Sequence, residues 1–209
     1  MLESPMPRRR SLLAAAGAAA LMPLIDAQAQ ETLSTRRPLA GAGAAQGPVL
    51  LTISGAIQVA NRGALDPALD QMMAKQKLRF SRALALRFDD LLRFPAQQIR
   101  PTLEYDARPH TLTGPLLSEV VAAARPDVPD PLLILRAVDG YTAALKYSEV
   151  VRSRFIIATH LDRQTMALGG LGPLFAIYDA DRDPRMQGRT LAQRYQQCPW
   201  GLYHIEVRG

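Results

Sequence analysis

The chain is poor in the residues that most often carry chemistry. Cys198 is its only cysteine, so no internal disulfide can form and a cluster of thiolate metal ligands is excluded. The three histidines, His110, His160 and His204, are too scattered for a His-x-x-x-His metal motif. Charge is not concentrated either: 25 Lys and Arg against 19 Asp and Glu give a net +6, spread without a long basic block. A nucleic-acid site needs a clustered basic stripe, so that class is not supported. Beyond the N-terminal region no apolar run reaches the roughly twenty residues that span a bilayer. Gly169-Gly170-Leu171-Gly172 lacks the lysine and serine of a phosphate loop, and a strand-like run follows it rather than a helix. No nucleophile elbow is present, so hydrolase chemistry has no support.

What is present begins with an export signal. Arg8, Arg9 and Arg10 supply a basic start, Ser11 to Ile25 an Ala-rich apolar run, and Ala27-Gln28-Ala29 a small-residue cleavage site before Gln30. Residues 1–29 are therefore expected to be a cleaved leader. Arg9-Arg10-Ser11-Leu12-Leu13 resembles a twin-arginine signal. The expected destination is the periplasm, as a soluble protein. Cleavage removes Arg8, Arg9, Arg10, Glu3 and Asp26, so the remainder stays mildly basic. Residues 30–47, rich in Gly and Ala and without periodicity, read as a flexible leader segment, and residues 48–209 as one domain.

Within that domain the pattern is mixed. Val49 to Ile57 alternates, with Leu51, Ile53 and Ile57 on one side and Thr52 and Ser54 on the other, which predicts a half-buried strand. Asp66-Pro67 is expected to open a short helix with Leu69, Met72 and Met73 as its apolar side. Leu78 to Leu84 reads as a further strand, and Phe88 to Leu92 as a helical turn. Gly114-Pro115 is expected to start a helix whose stripe is Leu116, Leu117, Val120, Val121 and Ala124. Leu132 to Ala137, Phe155 to Thr159, Leu174 to Tyr178 and Trp200 to Val207 read as strands. Ser148 is expected to cap a short helix ending before Arg154, and Leu191 to Gln196 to form another. Many short strands with a few short helices predict an α+β domain, mostly β.

Four pieces in this order resemble the molybdopterin-binding domain of the sulfite oxidase family. They are His110-Thr111-Leu112-Thr113-Gly114-Pro115-Leu116-Leu117, Asp139-Gly140-Tyr141, Gly170-Leu171-Gly172-Pro173-Leu174, and Trp200 opening the last strand. The resemblance implies a compact, mostly β domain with short flanking helices and a pterin-sized cleft. Enzymes of that family hold molybdenum through a cysteine placed before the Gly-Pro-Leu-Leu segment; residues 99–113 here contain none. They also carry a phosphate-holding arginine where this chain has Leu174 and Phe175. The chain is thus similar to a short, exported, catalytically silent branch. Members of that branch are thought to bind a free pterin and report it to a membrane partner, such as the periplasmic domain of a cyclic-dinucleotide signalling enzyme.

The leading expectation is a periplasmic, non-catalytic pterin-binding protein. The alternatives are a molybdopterin-dependent oxidoreductase with atypical metal ligation, and an export-side interaction module with an empty cleft. A pterin ring is flat and has a donor–acceptor edge, so its site needs aromatic faces and a carboxylate or backbone groups. Tyr105, Tyr141, Tyr178 and Trp200 are the candidate stackers. Asp139, with Asp179 and Glu104, and the backbone of Gly170 to Gly172 are the candidate edge partners. His110 is included because it precedes the Gly-Pro segment. Cys198 is expected to be a small buried apolar residue rather than a metal ligand.

Overall fold

In the computed structural model the residues described are 47–209, all within one compact unit, Ala44–Gly209. The expected leader and the segment up to residue 46 lie outside the described residues. Five strands form the main sheet, in the order β2-β1-β11-β5-β6. These are β1 (Val49–Gly55), β2 (Ala83–Arg87), β5 (Leu132–Ala137), β6 (Thr142–Lys146) and β11 (Leu202–Arg208). β1 runs parallel to β11 and the other pairings are antiparallel. A second sheet takes the order β3-β4-β8-β9, from β3 (Ala96–Ile99), β4 (Leu112–Pro115), β8 (His160–Leu161) and β9 (Gln164–Thr165). The pair β7 (Ile156–Ala158) and β10 (Phe175–Ile177) is fully buried. The architecture is α+β and β-rich, as expected.

The apolar runs became strands because each is buried on both faces. β5 keeps the bounds its sequence predicts, and Leu133, Leu135, Phe175 and Ile157 are buried in one core. β1 departs from its alternating reading. Thr52 and Ser54 are buried as well, because Ser54 Oγ lies 2.9 Å from His204 Nε2 on the neighbouring β11. That contact pairs the buried Ser54 hydroxyl, while His204 Nδ1 has no partner among the described residues. His204 is 1% exposed, and burial first, then Arg136, pulls its pKa down to about 4, so it is neutral.

Three helical expectations need correction. Gly114 and Pro115 belong to β4, opposite Gln97 and Ala96 of β3, and α3 (Leu117–Ala123) begins only after them. Glycine is required there, since a Cβ on Gly114 would lie 1.9 Å from the Ile157 carbonyl oxygen. The stripe of α3 is as expected, with Leu117, Val120, Val121 and Ala124 buried. α1 (Gln71–Lys75) starts later than Asp66-Pro67 and buries no residue; Leu69 is 83% exposed. α4 (Tyr147–Ser153) contains Ser148 rather than being capped by it; Asp130 supplies the acceptor, 2.7 Å from the Ser148 N–H. The strand expected at Leu78 to Leu84 lies at Ala83–Arg87 instead, after a turn that places Arg62 against Ala83. α2 (Phe88–Leu92) and α5 (Leu191–Arg194) lie where their sequences put them.

Candidate functional site

A cleft of about 230 Å³ opens where three loops meet beside the main sheet. The loop between β3 and β4 contributes Glu104 and Tyr105. The β5–β6 turn contributes Asp139 and Tyr141. The segment following α5 contributes Tyr195, Cys198 and Trp200. That segment is fixed by backbone bonds: Cys198 N–H to Tyr195 O (2.9 Å), Ala176 N–H to Pro199 O (3.1 Å) and Leu202 N–H to Leu174 O (2.8 Å). Gly201 has φ +60 and its N–H meets Leu171 O, so the chain turns tightly between the cleft and β11. The Tyr141 hydroxyl donates to the Gln196 carbonyl and ties the β5–β6 turn to the segment after α5. Asp139 Oδ1 accepts the Tyr141 N–H at 2.8 Å, which shapes the turn, and the residue is exposed.

Three aromatic side chains are accessible at the cleft: Tyr105 is 52% and Tyr141 47% exposed, and Trp200 is half-buried. Burial and then the Glu104 carboxylate push the Tyr105 hydroxyl well up, so it stays a neutral donor. The Tyr195 hydroxyl is buried with no hydrogen-bond partner among the described residues. Leaving such a group unpaired costs about 1–3 kcal/mol. Tyr195 is one of the residues lining the cleft, with its hydroxyl closed to solvent. Sequence reasoning missed Tyr195, because a tyrosine closing a short polar helix carries no signal of its own.

The cleft therefore gathers Tyr105, Tyr141, Trp200, Asp139 and Glu104 from distant parts of the sequence. The other candidates lie elsewhere. Tyr178 is buried, its ring tilted against Phe155 with centroids 4.8 Å apart, and its hydroxyl donates to Arg194 O at 2.9 Å. Burial raises its pKa to about 12. Gly170 spends its N–H on Ala167 O, and Gly172 is packed against the Met166 backbone. His110 sits between Asp106 and Asp162, and Asp179 pairs with Arg182 at 3.5 Å; neither lines this cleft.

These residues fit a flat heterocycle and do not fit molybdenum. Aromatic faces and two carboxylates match a ring with a donor–acceptor edge. A soft metal needs an ionised thiolate. Cys198 is 4% exposed, and burial pushes its thiol strongly up, so it stays protonated. Among the described residues no group of three or more His, Cys, Asp or Glu is placed to hold a metal ion. No Lys or Arg lines the cleft, so it offers no partner for a phosphate.

No family model matches the chain, and no curated protein matches it. Among solved structures, the sulfane dehydrogenase SoxCD from Paracoccus pantotrophus is similar over 76% of this chain and 37% of its own, with 13% identity and a TM-score of 0.48. The chain thus spans little more than a third of that neighbour. A likeness at that level carries no argument about activity. Among the described residues no helix is long and apolar enough to cross a membrane.

Proposed function

We propose that the protein is an exported, non-catalytic pterin-binding protein of the sulfite-oxidase-type domain class. In this reading residues 1–29 are a cleaved leader, residues 30–47 a tether, and residues 48–209 the binding domain in the periplasm. The ring lies against Trp200 between Tyr105 and Tyr141, and its amino-pyrimidine edge meets Asp139 and Glu104. The observation that carries the reading is the convergence of Tyr105, Tyr141 and Trp200 with two carboxylates, Asp139 and Glu104, in one small cleft. The ligand is a free pterin rather than molybdopterin, because the cleft has neither a thiolate nor a cation for the cofactor's phosphate. Tyr105, Tyr141 and Asp139 sit on exposed loops, so a bound ring changes the surface shown to a partner. The partner in this reading is the periplasmic part of a membrane signalling enzyme.

Titration calorimetry with oxidised and tetrahydro pterins tests this. Binding is expected, with Trp200→Ala weakening it by about tenfold, the loss of one stacked aromatic contact of roughly 1.5 kcal/mol. No heat at millimolar pterin sinks the proposal. An unchanged affinity in Trp200→Ala returns that ring to the core.

A further inference from the structure

A group of four arginines lies away from the aromatic cleft. A groove of about 540 Å³ runs between β3, the C-terminal end of α4 and the turn after β10. Arg152, Arg154, Arg182 and Arg185 line it, against two carboxylates, Asp179 and Asp183. The charges do not cancel. Arg185 is held by Asp183, with Nε to Oδ1 at 2.9 Å, and also donates to Ser153 Oγ at 2.6 Å. Arg182, 87% exposed, reaches Asp179 only at 3.5 Å. Arg154 donates to the neutral Gln97 amide at 3.0 Å. Neither Arg154 nor Arg152 makes an ion pair with the described residues. A cation at a helix C-terminus complements the dipole of α4, but that accounts for one arginine and not for four.

The backbone adds a second observation. Arg154 closes α4 with φ +53, a left-handed position where glycine is easiest. The chain keeps a long cation there, and its guanidinium is anchored across the groove on β3. The same lining includes the partly exposed apolar side chains of Ile99 and Leu116. Arginines beside an apolar surface, with Arg154 and Arg185 anchored by hydrogen bonds, suit a particular ligand chemistry. Guanidinium groups pair with carboxylate or phosphate oxygens, and the apolar side chains take a flat apolar body. The volume lies within the range of small-molecule sites.

We propose that this groove is a second ligand site, for a small organic anion carrying a carboxylate or phosphate on a flat apolar body. Arg152 and Arg154 take the anionic group, while Arg182 closes the rim. This site does not rest on the pterin reading, since no residue of the aromatic cleft lines it.

Calorimetry of the full chain with phenyl phosphate, benzoate and inorganic phosphate tests it at low salt. Phenyl phosphate or benzoate is expected to bind about tenfold more tightly than inorganic phosphate, because a ring gains apolar burial. The tighter of the two identifies the anionic group. Arg152→Gln with Arg154→Asn, the asparagine chosen because it tolerates the left-handed backbone, is expected to weaken binding by at least about tenfold. Arg182→Gln changes an exposed side chain only and is expected to weaken binding several-fold with an unchanged melting temperature. Added salt is expected to weaken all of it. Equal binding by the wild type and both variants, or no binding of either aromatic anion, overturns the proposal. Inorganic phosphate binding as tightly as phenyl phosphate overturns the organic class of ligand.

Discussion

His110 has a carboxylate at each ring nitrogen, with Nδ1 2.7 Å from Asp162 and Nε2 2.9 Å from Asp106. Ionised carboxylates only accept hydrogen bonds, so both nitrogens must donate and the ring is an imidazolium. The hydrogen bonds to Asp162 and then Asp106 raise its pKa, and the bond from His110 is the largest cause lowering the pKa of each aspartate. A raised histidine stabilises the fold fully below its unfolded value near 6.5, and that contribution is lost as pH rises through the higher folded value. The depressed aspartates contribute above their ordinary value near 3.8 and lose it as pH falls through their lower folded values. His110→Gln is therefore expected to lower the melting temperature most between about pH 4 and 6.5, with the deficit closing at alkaline pH. A deficit that does not change with pH overturns the imidazolium assignment. Cys198 makes the opposite case. Its thiol is buried and neutral, so Cys198→Ser is expected to leave pterin affinity unchanged and to lower stability by about 1 kcal/mol in urea denaturation. A lost affinity with intact folding would give the thiol a direct role. Of the residues grouped at the cleft, the rings and acids stood out in the sequence because pterin chemistry names those side chains. Tyr195 did not, since a missing partner is a property of packing.

Gly114 shows why one element was misread. A Gly-Pro pair before an apolar stripe ordinarily marks a helix start, and the stripe of α3 was legible for that reason. The pair instead finishes β4, where the strand crosses so close to β7 that a Cβ would meet the Ile157 backbone at 1.9 Å. Backbone cannot swing aside as a side chain can. Gly114→Ala is expected to cost about 3 kcal/mol or more, read as a fall in the urea midpoint, whereas Gly170→Ala, whose Cβ would meet only the Ala167 carbonyl oxygen at 3.6 Å, is expected to be nearly neutral. Equal effects would remove the close-approach explanation. The strands that escaped the sequence reading include β3 (AQQI), β6 (TAALK) and β9 (QT), at sheet edges with exposed residues along them, and the two-residue β8 (HL) beside β9. Their pairing partners, not their own hydropathy, make them strands. β5, β7 and β10 were legible because burial on both faces demands an apolar run.

The main sheet joins distant parts of the chain. β11 lies between β1 and β5, and its Thr52–His204 and Ile53–Ile205 pairings with β1 are parallel. Residues 202–208 therefore supply an interior strand, and β1 has no partner on that side until they have been made. The Ser54–His204 contact and the segment carrying Trp200 depend on the same closure. Pairing across that sequence distance is slow compared with local contacts. Slow closure keeps a chain open while it is made, which suits a route that threads unfolded chains at least as well as one that accepts folded proteins, so the topology does not select the route. The proposed twin-arginine leader rests on Arg9-Arg10-Ser11-Leu12-Leu13. Arg9→Lys with Arg10→Lys is expected to abolish the periplasmic fraction in cell fractionation and leave folded, unprocessed protein in the cytoplasm. Deleting residues 202–209 behind the intact leader is expected to abolish it as well, because the sheet cannot close. Normal export of the doubly substituted leader would show that the chain crosses unfolded, and would separate its destination from its folding.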